Sequence, residues 1–281
     1  MSSLPYVQPA ILADALSALS QQRLVPLAGG TDFYPARVGQ PVADGILDLS
    51  RLTDLCGLST SVSGWRLGAL TTWSALRRAP LPAALCALQR VAAEVGGVQI
   101  QNAGTVGGNL CNASPAADGV PALLALDAQV ELQSVRGTRT MPLGQFILGN
   151  RRTARAPDEL LTAVLLPHSG AHTRSTFHKL GARRYLVISV LMVAARLDLD
   201  DSGRVAAAAV AVGACSEVAQ RLPLLEQRLA GRRLDAALRE VPHAHDLAAL
   251  TPRSDVRASA AYRRDAALTL VRRALGALCD E

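Results

Sequence analysis

Residues 101–118 read Gln101-Asn102-Ala103-Gly104-Thr105-Val106-Gly107-Gly108-Asn109-Leu110-Cys111-Asn112-Ala113-Ser114-Pro115-Ala116-Ala117-Asp118. Three glycines, Gly104, Gly107 and Gly108, with Thr105 and Asn109 beside them, leave a backbone with little side-chain cover, whose N–H groups can come close to a charged oxygen. The stretch is expected to be a loop able to hold a diphosphate. Its spacing is not G-x-G-x-x-G, because Gly107 is followed directly by Gly108 and Asn109, so a nicotinamide-type Rossmann turn is disfavoured. A pyrophosphate would repel Asp118, whereas the two hydroxyls of a sugar can donate to it, so Asp118 is assigned to a ribose. The alternative is a glycine-rich loop that serves only a tight bend.

A second segment has the same character. Arg23 to Leu27 reads as a short buried strand and runs directly into Ala28-Gly29-Gly30-Thr31-Asp32-Phe33-Tyr34-Pro35. Gly29, Gly30 and Thr31 can supply donors to the same diphosphate. Asp32 is expected to cap the following turn or to meet a sugar.

Composition narrows the field. The 281 residues are 49% hydrophobic, enough for a substantial core or for two to three small units. There is no run of about twenty uncharged apolar residues, and Met1-Ser2-Ser3-Leu4-Pro5 lacks a basic, then apolar leader, so a soluble cytoplasmic protein is expected. The five cysteines are scattered with no C-x-x-C, which writes neither a disulfide framework nor an iron–sulfur or zinc site. His168, His172, His178, His243 and His245 sit among Pro, Gly and Arg and read as surface residues. The net charge of +6 is an arginine bias, since Lys179 is the only lysine among 29 basic residues. Pairs such as Arg151-Arg152 read as solvated faces or protein contacts, and aromatics at 3% leave no base-stacking platform, so nucleic acid is not expected.

Periodicity places the remaining elements. A helix is expected over 10–21, strands over 45–49 and 65–70, a helix opening at Thr72 and another from Pro82 to Val95. Pro121–Ala125 reads as a short helix, 127–134 as a strand with a turn at Arg136-Gly137, and 159–167 as a strand ending at proline. Beyond it, 187–199 and 204–212 fit antiparallel strands of a separate sheet. Helices follow over 221–229, 234–239 and 254–278, the last with Tyr262, Leu268, Val271 and Leu275 on its packed face and arginines opposite.

Leu27–Asp32, Thr105–Leu110 and Ser114–Asp118 together resemble the FAD-binding medium subunits of the xanthine dehydrogenase and carbon monoxide dehydrogenase family of molybdenum hydroxylases. Lys179, Arg183-Arg184, Ile188-Ser189 and the run Asp255–Arg264 resemble that family's C-terminal domain. The resemblance implies an α+β chain: a PCMH-type FAD-binding fold of two subdomains (about 1–55 and 56–170), then a C-terminal domain (171–281) of a small antiparallel sheet and helices. It implies FAD on this chain, with the molybdenum cofactor on a large partner subunit and two iron–sulfur clusters on a small one, in a dimer of heterotrimers.

Carried over position by position, Leu27, Ala28, Gly29, Gly30, Thr31, Asp32 and Phe33 would line the first pyrophosphate loop. Thr105, Val106, Gly107, Gly108 and Asn109 would line the second, with Asp118 at the adenosine ribose. Val95 and Leu161 would approach the flavin, and Lys179 would reach its polar edge, where a cation stabilises the reduced anion. No catalytic acid, base or nucleophile is implied, and no metal ligand. Many relatives have arginine at Gln101, a Tyr-Asp pair at Leu186-Val187 and glycine at Ala258, departures that bear on the flavin's reactive face and on acceptor docking. Two other classes stay open on the residues alone: a free-standing flavin oxidase of the vanillyl-alcohol-oxidase type, and a scaffold module.

Overall fold

Three sheets and a two-stranded ribbon follow one another in the computed structural model, which describes residues 4–184 and 186–280. Met1, Ser2 and Ser3, read above as part of a leaderless start, lie outside the described residues. Tyr6–Val7, Gly45–Asp48 and Leu24–Leu27 form a parallel sheet with Gly45–Asp48 in the middle. The helix Leu12–Gln21 makes the crossover, and its Ala15, Leu16 and Leu19 pack with Leu24 and Leu47 in a small core. Pro26 is tolerated in an edge strand, where its missing N–H breaks no second ladder. This sheet delivers the first glycine turn at the carboxyl end of Leu24–Leu27.

The second unit is an antiparallel sheet in the order 58–61, 64–68, 160–167, 129–134, 137–142. Helices cover one face, and Trp73, Leu76, Leu88, Val91, Leu110, Leu123 and Phe146 are buried between the layers. The helix expected from Pro82 to Val95 is divided into a 3₁₀ turn, Ala83–Leu85, and a helix, Cys86–Glu94. At the join the Ala87 N–H has no helical acceptor and donates to Ser175 Oγ at 3.0 Å, a residue of the C-terminal sheet.

The stretch 101–118 is itself a correction. It is not a bare loop: it holds the end of the helix Val98–Ala103, the helix Val106–Asn112 and the approach to Gly119–Ala125. Thr105 is the N-cap of the second of these, its hydroxyl accepting from Gly108 N–H at 3.0 Å. A Thr cap outweighs the weak helix propensity of Gly107 and Gly108 because the same turn is held by tertiary contacts.

The C-terminal sheet runs 173–180, 191–199, 205–213, 220–221, all antiparallel. Met192, Ala194, Ala209 and Ala211 face the second unit's core, while Leu191, Val193, Ala195, Leu197, Val210 and Val212 face the helices Pro223–Leu229 and Ala260–Cys279. A sheet covered on both faces needs apolar residues at every position, so 187–199 reads as a continuous run. Two expectations change here. His178 is on the strand Thr173–Leu180 and half-buried, where burial and then Arg90 and Arg273 push its imidazole below the usual histidine range. On Ala260–Cys279, Tyr262 is exposed and Arg263 is buried. The Arg263 guanidinium donates to the carbonyls of Val190 (2.8 Å) and Ala214 (2.5 Å) and to Asp255 (2.6 Å), closing strand ends that a tyrosine could not satisfy.

Glu159, at the head of the central strand, accepts from Arg139 Nε (2.6 Å) and Nη2 (2.8 Å) and from Ala156 N–H (2.7 Å). Arg139 foremost, against the opposing effect of burial, holds this carboxyl below the usual glutamate range. A depressed folded-state pKa gives stability that is present above the unfolded value and lost as pH falls through the folded one. The melting temperature is therefore expected to drop on acidification below the glutamate range, and to drop less steeply in Glu159→Gln. Equal slopes for the two proteins in that window would remove Glu159 as a source of the acid response.

Candidate functional site

A cavity of about 520 Å³ lies between the first glycine turn, the helix Val106–Asn112, the strand Leu160–Pro167 and the ribbon Ile147–Gly149/Arg152–Thr153. The two glycine segments meet at its floor. A Cβ on Gly29 would stand 1.7 Å from the carbonyl oxygen of Ala103, so only glycine permits this approach. Gly30 has φ +71 and turns the chain back under Tyr34.

The two segments contribute different things. In the first, Tyr34 N–H bonds to Gly30 O and Ala36 N–H to Asp32 O, but the N–H groups of Gly29, Gly30, Thr31, Asp32 and Phe33 meet no acceptor among the described residues. In the second, Val106 N–H goes to Thr71 O, Gly107 N–H to Ala69 O, Gly108 N–H to Thr105 Oγ1 and Asn109 N–H to Thr105 O. So the first turn offers a row of open donors. The second offers room, since a Cβ on Gly108 would touch nothing but Thr105 Oγ1. Asn109 adds a side-chain amide whose buried Oδ1 has no partner.

The walls carry Trp73, Val95, Ile100 and Leu161 on the apolar side and Asp32, Arg37, Arg151 and Arg155 as charged groups. Arg37 stacks 3.8 Å from the Phe33 ring centroid and pairs with Asp44. Burial, partly opposed by Arg155, pushes the Cys111 thiol up to about 11, so it stays protonated at neutral pH and is no nucleophile. Among the described residues no acid, base and nucleophile converge in the cavity, and the arrangement suits binding and orientation of an anionic ligand.

A family model described as the FAD binding domain in molybdopterin dehydrogenase matches residues 2–169, and one described as the CO dehydrogenase flavoprotein C-terminal domain matches residues 176–278. The nicotinate dehydrogenase FAD-subunit of Eubacterium barkeri is 35% identical, over 88% of this chain and 86% of that one. The xanthine dehydrogenase FAD-binding subunit of Escherichia coli O157:H7 is 31% identical over 96% of this chain and 94% of that one. The chain belongs to the FAD-binding medium subunits of the molybdenum hydroxylases. The solved CO dehydrogenase of Oligotropha carboxidovorans carries the same fold, with 27% identity, a TM-score of 0.90 and coverage of 99% of this chain and 98% of that one. This medium subunit is thus an oxidoreductase component.

The cavity of the medium subunit fits FAD on its own geometry: open N–H groups at 29–33, an open Cβ direction at Gly108 and an orphaned amide oxygen on Asn109 are what a diphosphate and its flanking sugars need. Leu27 to Phe33, Val95, Thr105, Gly107, Gly108, Asn109 and Leu161 all line it. Val106 does not: its side chain is buried in the core and its N–H is bonded to Thr71 O.

Asp118 and Lys179 also stand apart from the cavity lining, and they stand together. Lys179 Nζ donates to Asp118 Oδ2 at 2.7 Å and to Glu94 O at 3.0 Å, and Ser189 Oγ donates to Asp118 Oδ1 at 2.5 Å. Groups 2.7 Å apart cannot serve opposite ends of an extended dinucleotide, so the assignment of Asp118 to the adenosine ribose with Lys179 at the flavin is corrected to one shared position. Burial holds the Asp118 carboxyl above the usual aspartate range, with Lys179 and Ser189 opposing.

Nothing in the sequence singles out Arg37, Arg151 or Arg155, since three cavity-lining arginines are hidden among 28. Of the departures, Gln101 is buried, donates to Ala93 O and accepts from the Arg77 guanidinium. Leu186 is exposed in a left-handed conformation (φ 51), its carbonyl held by Arg183. Ala258 N–H and O both bond to Asp255.

Proposed function

We propose that this chain is the flavin-carrying electron relay of a molybdenum hydroxylase, assembled with a large molybdenum-cofactor subunit and a small iron–sulfur subunit as a dimer of heterotrimers in the cytoplasm. The observation that carries the reading is the row of open N–H groups at Gly29–Phe33, set beside a second glycine segment on the floor of a cavity of dinucleotide scale. FAD, when bound, supplies a centre that can accept electrons singly and release them in pairs. The chain's own residues bind and orient. Gly29, Gly30, Thr31, Asp32 and Phe33 donate to the diphosphate, Gly108 leaves it room, and Asn109 turns its amide toward the ligand. Val95 and Leu161 exclude water from the flavin. Lys179, fixed by Asp118 and Ser189, places a cation near the flavin's polar edge. The FAD-binding part is taken to end near 170 and the C-terminal domain to follow, a division supported by matches ending at 169 and resuming at 176.

No described helix is long and apolar enough to cross a membrane. The test is to purify the chain from its native host, identify the chains that come with it and record the visible spectrum. A yellow complex containing a molybdenum subunit and an iron–sulfur subunit is expected. A chain that binds no FAD would end the flavin reading, and substrate turnover without a molybdenum partner would replace the relay with a free-standing oxidase.

A further inference from the structure

We infer that Arg151 and Arg155 are positioning residues that neutralise the charge of the bound dinucleotide's diphosphate, an inference that rests on the FAD reading above. The first glycine turn offers neutral N–H donors and brings one carboxylate, Asp32, into the cavity wall. The wall's cations are Arg37, Arg151 and Arg155. Arg37 is paired with Asp44. Among the described residues, Arg155 Nη1 donates to the carbonyls of Ala156, Pro157 and Glu159 and the side chain has no carboxylate partner. Those bonds fix its orientation and leave its charge uncompensated, because Glu159 gives its carboxylate to Arg139. Arg151 has no side-chain partner among the described residues, and its backbone is set unusually: φ is +56, and its N–H donates to the carbonyl of Ala113.

Ala113 is the left-handed C-cap of Val106–Asn112. The ribbon turn therefore docks on the end of the glycine helix, and a conformation that arginine rarely adopts is held there by a tertiary bond, the pattern of strain kept at a binding site. Two arginines without a carboxylate partner among the described residues thus line the same cavity as the donor row. A dianionic diphosphate is the part of FAD that answers to this arrangement, since riboflavin offers no charge.

The experiment uses the full chain stripped of flavin, titrated with FAD, riboflavin and ADP by fluorescence quenching or calorimetry at low and high salt. Wild type, Arg151→Met, Arg155→Lys and Arg151→Met/Arg155→Met are compared. The expected result is FAD and ADP affinity reduced at least tenfold in the double variant, a flatter salt dependence, and riboflavin affinity unchanged. Arg151→Met is expected to melt as wild type does, because its side chain holds nothing in the apo chain. Arg155→Lys keeps the charge and is expected to keep the salt dependence. Double-variant FAD affinity within twofold of wild type, or an equal loss for riboflavin, overturns the inference. Wild type that binds no FAD overturns the FAD reading itself, which separates the two failures.

Discussion

Gly29→Ala is expected to abolish measurable FAD binding and to lower the melting temperature by more than about 6 °C. The added methyl would overlap the Ala103 carbonyl, 1.7 Å from its oxygen and 2.4 Å from its carbon, and both are backbone atoms with no rotamer to change. Relief requires the two glycine segments to part, which opens the floor of the cavity and disturbs the junction between the parallel sheet and the helical layer. Overpacking of this kind typically costs about 1–3 kcal/mol and more where backbone must move, and at this chain length each kcal/mol is worth roughly 2–4 °C. Gly108→Ala is the control. Its methyl would meet only Thr105 Oγ1, at 2.9 Å, and otherwise points into the cavity. It is expected to melt within about 2 °C of wild type while losing FAD affinity. Melting curves and flavin titrations of both variants check this, and a Gly29→Ala protein that folds and binds normally would show that the segments need not touch.

Lys179→Met is the second large effect. Lys179 and Asp118 are both almost fully buried, and the lysine bonds the second unit through Asp118 and Glu94 O while its own strand belongs to the C-terminal sheet. Removing one member of such a pair leaves an uncompensated charge inside the protein, at a cost of about 3–5 kcal/mol. The Asp118 carboxyl, already raised by burial, would rise further without its cation. A raised folded-state pKa stabilises below the unfolded value and loses that stability as pH rises through the folded one. The variant is thus expected to be least stable at neutral pH and to recover toward acid. Lys179→Met/Asp118→Leu is expected to regain most of the loss at all pH values, because no charge is left to solvate. Thermal melts across pH test this directly. A single variant as stable as wild type at pH 7, or a double variant no better than the single, would mean the pair does not tie the C-terminal sheet to the helical layer.

The sequence alone determined which segments matter and what family they belong to. Glycine is dictated at 29 by the approach of the Ala103 carbonyl, at 30 by a positive φ and at 107 by the Ala69 backbone, whereas at 108 it leaves open space, and a glycine cluster is a pattern that can be read locally. The alternation at 129–134 and the unbroken apolar run near 191 mark one-sided and two-sided burial, which is why the sheets were readable and their partners were not. The parts that could not be read involve the meeting of distant residues. Which segment gives donors depended on where Thr71, Ala69 and Thr105 place their acceptors, so the second glycine segment proved to be a helix with its N–H groups already bonded. Asp118 and Lys179 are 61 residues apart, and only the packing of the C-terminal sheet on the helical layer made them one ion pair. Local pattern fixes what a residue can adopt or donate; its partner is set by tertiary geometry, because a hydrogen bond or charge pair forms over about 3 Å and carries no trace in the intervening chain.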